Sequence, residues 1–420
     1  MACVIIGGGA AGFQSALTCR KIWPSKSVLL VDAEQEVGYF RPLLPQFMAG
    51  KLEEEKLFFG RPEPDPLFIV RTGVKVSSID RAAQRLELEN GEKIEYERLI
   101  LAHGGSPYIP EVLGEKTCEG IFPVRNLTVA RKVRQWLLSH KDIVILGSSL
   151  VAVKTAVFLR LAGLKVSLIV KRNHTLLRVL TPRAAELIDI HLRRMGIELY
   201  LNSTIEEIGI KDGYVHAVRA GTQWVPCDTV LVAAGAIPDS GFLGGSGLLK
   251  EGALLVSAAL QTGDEKIFAA GDAATIALAE KETINPATWP HAISQGKRAA
   301  ENLYETVPKP LTLLTHVNCM NLHGLSLVIL GPPVPGCKVL SYSRPSEGVL
   351  RELFLVNGRI VGGTLLGDIS GAGPLYAMVS TGERIAHRED DLIYPHGRAL
   401  SPLSRFGRQR QAVILPSERM

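Results

Sequence analysis

Two clusters of small residues, each placed between an apolar run and a helical stretch, are where this chain could do chemistry. In the first, Gly7, Gly9 and Gly12 keep a Gly-x-Gly-x-x-Gly spacing around Ala10 and Ala11, and Asp32 with Ala33 follows twenty residues beyond Gly12. Glycines so spaced permit a tight turn, close approach of the backbone to a pyrophosphate, and close packing of helix on strand; the later acid can accept hydrogen bonds from ribose hydroxyls. In the second, Gly147, Ser148, Ser149, Leu150 and Val151 lead into a helix, and nineteen residues beyond Ala152 stand Lys171 and Arg172, with Arg178 close behind. Cations in place of the acid suit a ribose 2′-phosphate, to which they give charge-assisted hydrogen bonds. Ser149 occupies the middle-glycine position, so a Cβ and a hydroxyl must be accommodated there.

The elements that must position these residues are legible as alternating strands and helices. Cys3 to Ile6 reads as a buried parallel strand, followed by a helix to about Lys21 and a strand from Ser27 to Val31. Ile143 to Leu146, a helix to about Leu161 and a strand Lys165 to Val170 repeat the pattern. Three further apolar runs end in small residues: Leu99–Leu101 before Ala102-His103-Gly104, Val230–Val232 before Gly235, and Ile267–Ala270 before Gly271-Asp272. At 420 residues the chain suits two or three domains. Its 46% hydrophobic and 21% charged content describes a well-buried globular protein. A net charge of +5 without a basic, aromatic-interleaved stripe argues against nucleic acid as a partner. No apolar run is long enough for a membrane span, and the chain enters its first strand directly from Met1, so a cytoplasmic location is expected.

These ordered motifs resemble the FAD-dependent pyridine nucleotide-disulfide oxidoreductase superfamily, and within it the NAD(P)H:rubredoxin and ferredoxin reductases and nitrite-reductase flavin modules. The resemblance implies an α/β fold with two nested Rossmann-like dinucleotide-binding domains and a C-terminal α+β domain. It implies FAD bound by Gly7, Gly9, Ala10, Ala11, Gly12, Asp32 and Ala33, with Gly271 and Asp272 at the ribityl chain. Ala102-His103-Gly104 is similar to the family's Ala-Thr-Gly connector, Arg41-Pro42 to a segment packed along FAD, and Trp289 and Gln295 to the helix beside the flavin ring. Gly147, Ser148, Ser149, Leu150, Val151, Lys171, Arg172, Arg178 and Gly235 are then the nicotinamide nucleotide's residues, with NADPH favoured over NADH. Gln46 and Lys154 stand where related members carry a lysine near flavin N5 and its glutamate partner. The expected domains are 1–112 and 244–308 for FAD, 113–243 for NAD(P)H, 309–392 at the C-terminal side, and a basic tail from 393.

Arg41 to Gln46 contains no cysteine for disulfide exchange, and Cys118 and Cys319 read as buried structural thiols. The implied activity is electron transfer through FAD between NAD(P)H and a ferredoxin- or rubredoxin-like iron–sulfur protein, since flavin takes two electrons together and releases them singly. Two alternatives stay open: an NAD(P)H oxidase, and a flavin-bearing relay subunit of a larger redox complex with a degenerate nicotinamide site. Ser149, Gln46 and Lys154 suit the relay subunit. A homodimer is also left open. His316 and His323 lack a neighbouring carboxylate or cysteine cluster and read as ordinary histidines, not metal ligands. The tail carries Arg398, Arg405, Arg408, Arg410 and Arg419 against the acid Glu418, and suits either a solvated terminus or a docking arm for an acidic protein.

Overall fold

Runs of Val, Ile and Leu become the central strands of two separate parallel sheets, one in each of the two units into which the chain divides. The first unit comprises Met1–Ile109, Phe122–Ser139 and Gly235–Leu314; the second comprises Pro110–Ile121, His140–Ala234 and Thr315–Met420. The structure, a computed structural model, describes residues 2–60, 65–114, 118–279, 282–312, 316–385, 389–394 and 411–414. Among these, no helix is long and apolar enough to cross a membrane.

In the first unit, strand β1 (Ala2–Ile6) lies between β2 (Val28–Val31) and β6 (Lys93–Leu101), both parallel to it. Strand β3 (Phe68–Arg71) extends the sheet beside β2. On the other side of β6 the strand Ile267–Ala269 pairs parallel, Phe268 opposite Ile100, so a distant segment of chain completes the sheet. The N-terminal half of β6 instead pairs antiparallel with β5 (Arg85–Leu88), which pairs with β4 (Val76–Asp80). Val4, Ile5, Leu30, Leu99 and Ile100 are entirely buried, as strands covered on both faces require. One cover is the crossing of helix α1 (Ala10–Ile22) with the helix Trp289–Asn302. A Cβ on Gly296 would fall 2.1 Å from the Ala11 carbonyl oxygen, so the helices touch backbone to backbone. The hydroxyl of Ser15 donates to the carbonyls of Ala11 and Gly296, each at 2.9 Å. The helix Leu127–Trp136, inside the segment expected to serve NAD(P)H, packs in this unit, where Arg131 pairs with Glu36 at 2.9 Å.

In the second unit the parallel order is Glu198–Leu201, Lys165–Val170, Asp142–Leu146, Thr229–Val232. The helix Leu150–Leu161 follows the central strand Asp142–Leu146, and the helix Pro182–Arg194 precedes the edge strand. A six-stranded sheet, antiparallel throughout, forms the C-terminal part, in the order 317–321, 326–330, 359–366, 349–356, 338–344, 411–414. Gly362-Gly363 lies in the middle of the strand Arg359–Leu366, and a Cβ on Gly363 would lie 2.8 Å from the Glu352 carbonyl oxygen. The reversal before that strand falls at Asn357-Gly358, both with positive φ (51° and 73°), the pair that a tight hairpin favours. One expectation changes here. Cys319 is exposed and Cys118 only half-buried, so neither is a core thiol. Gln411–Ile414, within the expected basic tail, pairs as an edge strand with Lys338–Ser341; the tail's arginines lie outside the described residues.

Glu352 is 3% exposed, on the face of its strand opposite Leu353, and its Oε2 accepts from Thr181 Oγ1 at 2.6 Å. Burial pushes the carboxyl's pKa up, against the Thr181 hydrogen bond and the charge of Arg183. The folded state therefore holds this proton more tightly than the unfolded chain does. Its stabilising contribution is complete below the unfolded carboxyl range and is lost as pH rises through the raised folded value. Glu352→Gln is expected to match wild type at about pH 4 and to exceed its stability by about 1 kcal/mol at roughly pH 8. Apparent Tm measured across that range checks it; parallel curves for the two proteins would mean that another group titrates.

Candidate functional site

The first glycine cluster forms the turn between β1 and α1, at the carboxyl end of the parallel strands, where open α/β sheets bind ligands. Gly7 has φ of +101°, and a Cβ there would lie 2.3 Å from the Ala102 carbonyl oxygen. A Cβ on Gly12 would fall 1.8 Å from the Gly7 carbonyl oxygen, so only glycine lets α1 approach this turn. Gly9 differs: the nearest atoms to a Cβ there are Nε and Nη2 of Arg41, each 4.0 Å away. The space over Gly9 is thus open and faced by a guanidinium. No acid stands in the first turn of α1, so the amide dipoles at that end favour an anion.

Asp32 is 8% exposed; one carboxylate oxygen accepts from the Gly8 amide, the other from the Glu34 amide at 2.7 Å. Burial raises its pKa, while those amide bonds pull the other way. Ala33 beside it is exposed, whereas Ala10 and Ala11 are buried in the turn's core. Glu34 links this acid to Arg41: Arg41 Nη2 donates to Glu34 Oε1 at 2.6 Å and the Tyr39 hydroxyl to Oε2 at 2.5 Å. Arg41-Pro42 opens a short 3-10 turn, and Gln46 is half-buried in the helix Leu44–Met48 behind it.

The neighbouring strand ends bring in the other expected residues. After β6, Ala102 is buried and Gly104 takes φ of +69°. The ring of His103 meets Phe242 edge-on at 4.9 Å, and both its nitrogens are buried without a hydrogen-bond partner among the described residues. Burial lowers its pKa to about 4, so the ring is neutral and offers one donor and one acceptor. After Ile267–Ala269, the Gly271 amide donates to Gln295 Oε1 at 2.7 Å, leaving Gln295 Nε2 buried and unbonded. Asp272 faces Arg125, whose Nη2 lies 3.5 Å from Oδ2 and whose Nε donates to the Gly105 carbonyl at 2.9 Å. Trp289 packs with Phe40 and Phe59, each at 5.3 Å. Open space at Gly9, unpartnered buried polar atoms at His103 and Gln295, and paired charges around them fit a long ligand carrying phosphate and hydroxyl groups. Arg125 and Glu34 have no sequence motif of their own and emerge only from the fold.

The second cluster follows the strand Asp142–Leu146. Gly147 has φ of +146°, and a Cβ there would fall 2.3 Å from the Ala233 carbonyl oxygen. Ser149, with φ of −81°, is the N-cap of the helix Leu150–Leu161; its Oγ accepts from the Ala152 amide at 3.4 Å. The hydroxyl turns onto its own helix, and the backbone conformation needs no glycine. Ser148 and Leu150 are half-buried and Val151 is exposed. Lys154, on the same helix, is half-buried, and burial lowers its pKa. Lys171, Arg172 and Arg178 are exposed, with no ion pair or hydrogen bond from their side chains among the described residues. Gly235 falls in the first unit with φ of +120°, and its carbonyl accepts from the Tyr108 amide at 3.0 Å.

The profile of the pyridine nucleotide-disulphide oxidoreductase family matches residues 1–296, which contain both glycine turns. The NADH oxidase of Methanocaldococcus jannaschii is 24% identical over 418 residues, covering 93% of this chain and 90% of that protein. The rubredoxin-NAD(+) reductase of Pseudomonas putida is 27% identical over 346 residues, 77% of this chain and 86% of the relative. A crystal structure of a covalent putidaredoxin reductase–putidaredoxin complex shares the fold, with a TM-score of 0.85 at 21% identity over 91% of this chain and 94% of that one. Two glycine turns on two parallel sheets, matched in order by one family profile, make this chain an oxidoreductase of flavin and nicotinamide chemistry that belongs to the pyridine nucleotide-disulphide oxidoreductase family.

Proposed function

We propose that the first turn holds FAD, that the second takes NADPH in preference to NADH, and that electrons pass to a ferredoxin- or rubredoxin-like iron protein. The observation that carries the nucleotide preference is the loop after Val170, where Lys171, Arg172 and Arg178 are exposed with no ion pair among the described residues, while eleven other arginines pair with acids. Unpaired cations beside a dinucleotide turn are matched by a 2′-phosphate and gain little from a 2′-hydroxyl. Ser149 is compatible with a working site, because its hydroxyl takes the Ala152 amide alone and leaves the turn's other amides to a phosphate.

Bound FAD would take two electrons from a reduced nicotinamide and release them singly to an iron centre. The chain's own residues hold and orient. Asp32 accepts from the adenosine ribose hydroxyls, the amides at the start of α1 with Arg41 face the pyrophosphate, and Asp272 with Arg125 brackets the ribityl region. The neutral His103 and Gln295 complete hydrogen bonds that the protein alone leaves open. An iron-protein acceptor is supported by the likeness to rubredoxin-NAD(+) reductase and by the lack of any thiol in Arg41 to Gln46. The likeness to an NADH oxidase over 93% of the chain favours a second reading, with dioxygen as acceptor. Oxygen uptake at full rate without any added iron protein would select it.

Anaerobic titration of the flavin-loaded protein with each nucleotide tests the main reading. NADPH is expected to bleach the oxidised flavin band at lower concentration than NADH; a flavin that dithionite reduces but neither nucleotide touches would defeat it. Arg172→Ala is expected to weaken NADPH by roughly tenfold and leave NADH within about twofold, because it removes one charge-assisted contact to the 2′-phosphate. Equal losses for both nucleotides would assign Arg172 to the fold. Arg125→Ala is expected to raise the dissociation constant of FAD by roughly tenfold, measured by flavin release on dilution, through loss of the cation beside Asp272 and Gly105. Unchanged retention would place Arg125 outside the binding crevice.

A further inference from the structure

A buried acid stands behind the cationic loop of the second unit. Asp189, on the helix Pro182–Arg194, is 1% exposed and bonds only into the loop: Oδ1 accepts from Thr175 Oγ1 at 2.6 Å and from the Thr175 amide at 3.2 Å. Its Oδ2 lies 2.9 Å from His174 Nδ1. An isolated carboxylate is costly to bury, and three donors from two consecutive loop residues are what offset that cost here. Asp189 is therefore a clamp on the loop's centre. The same loop is fastened at other points. The Leu176 amide donates to the Ser148 carbonyl at 2.9 Å, inside the glycine turn, and Leu176 takes φ of 57°, an uncommon conformation for leucine. The Arg172 carbonyl accepts from the Asn202 amide at 3.0 Å. Arg172 and His174 thus leave a backbone fixed on three sides, while the Arg172 side chain is exposed and that of His174 remains 24% exposed.

The carboxylate also sets the imidazole. Because Asp189 can only accept, the proton faces it on His174 Nδ1, and Nε2 is left for solvent or a ligand. Protonated on both nitrogens, the ring donates to the carboxylate and to an anion at once.

We propose that Asp189 is a positioning residue for nucleotide specificity, holding His174 and the Lys171–Arg178 loop so that His174 Nε2 joins Arg172 at the ribose 2′-phosphate of the nicotinamide cofactor. The proposal rests on the NADPH reading and deepens it. Asp189 serves through His174, Thr175 and the loop, whereas His174 touches the ligand. An acid next to a 2′-phosphate site would repel the ligand if it faced outward; here it is turned inward and bonded to the imidazole and to Thr175.

The test is calorimetric titration of the flavin-loaded full-length protein with 2′,5′-ADP and with 5′-AMP, probes that differ by the 2′-phosphate. Wild type, Asp189→Asn, His174→Ala and the double variant are compared. Wild type is expected to prefer 2′,5′-ADP by at least about tenfold, each single variant to lose roughly five- to tenfold of that preference with 5′-AMP held within about twofold, and the double variant to lose no more than either alone. That non-additive loss, confined to one probe, is a signature that loosening of the fold would not produce. A preference unchanged in both single variants overturns the proposal, as does a parallel loss for both probes. Should Asp189→Asn not fold, His174→Ala decides alone, and an unchanged preference there overturns it. A wild-type protein with no preference overturns the NADPH reading itself, an outcome distinct from an intact preference that the variants leave untouched.

Discussion

A helix can present its N-terminal amides to a phosphate only if the strand, the turn and the helix approach more closely than side chains allow, and much of this architecture follows from that constraint. Gly12 against the Gly7 carbonyl, Gly7 against Ala102, and Gly147 against Ala233 are contacts in which a single Cβ would overlap a backbone oxygen. The same economy of space recurs behind α1, where Gly296 meets the Ala11 backbone. The second helix is therefore locked to the first by absence of side chains as much as by apolar burial. Fixing α1 fixes the position of its dipole, and the open space above Gly9 is what remains when every neighbouring gap has been closed.

The two turns meet the same constraint with different chemistry. In the first, glycine is the N-cap of α1 and supplies no side-chain cap, which leaves the helix amides to an external acceptor. In the second, Ser149 is the N-cap and spends its hydroxyl on the Ala152 amide. One orphan amide is thereby satisfied internally, and a ligand has correspondingly less to complete. The difference at the following strand is larger. The first ends in Asp32, whose carboxylate is tied to the turn through the Gly8 amide; the second ends in Lys171 and Arg172, tied to nothing by their side chains among the described residues.

What could be read from the sequence was whatever depends on local pattern. The strand Lys165–Val170 and both strand–glycine–helix units were legible because burial on both faces leaves an uninterrupted apolar run. Asn357-Gly358 is the pair that a tight hairpin favours, whereas Gly362-Gly363 five residues on sits within a strand, where glycine marks close packing between neighbouring strands. The division of β6 between a parallel and an antiparallel partner was invisible, since its nine residues alternate in burial and then cease to do so for reasons that lie in other strands. Arg125 could not be found from sequence: its partners Gly105 and Asp272 are 20 and 147 positions away.

Asp189 is a more instructive omission, because its signal was present. Ala185, Ile188, Asp189 and Leu192 share the buried face of one helix, so an acid interrupts an apolar stripe at helical spacing. Such an acid must find donors or shift its protonation, and the loop that carries Lys171 and Arg172 is where it finds them. Asp32 and Asp189 then divide two tasks that a single acid cannot combine. Asp32 accepts from two amides and still has acceptor capacity for ribose hydroxyls. Asp189 directs both oxygens into the protein, so that a charge which would oppose a phosphate instead holds the imidazole and the loop in place. What separates the two acids is therefore the direction in which each carboxylate is bonded, Asp32 onto its own turn and Asp189 onto the loop beside it.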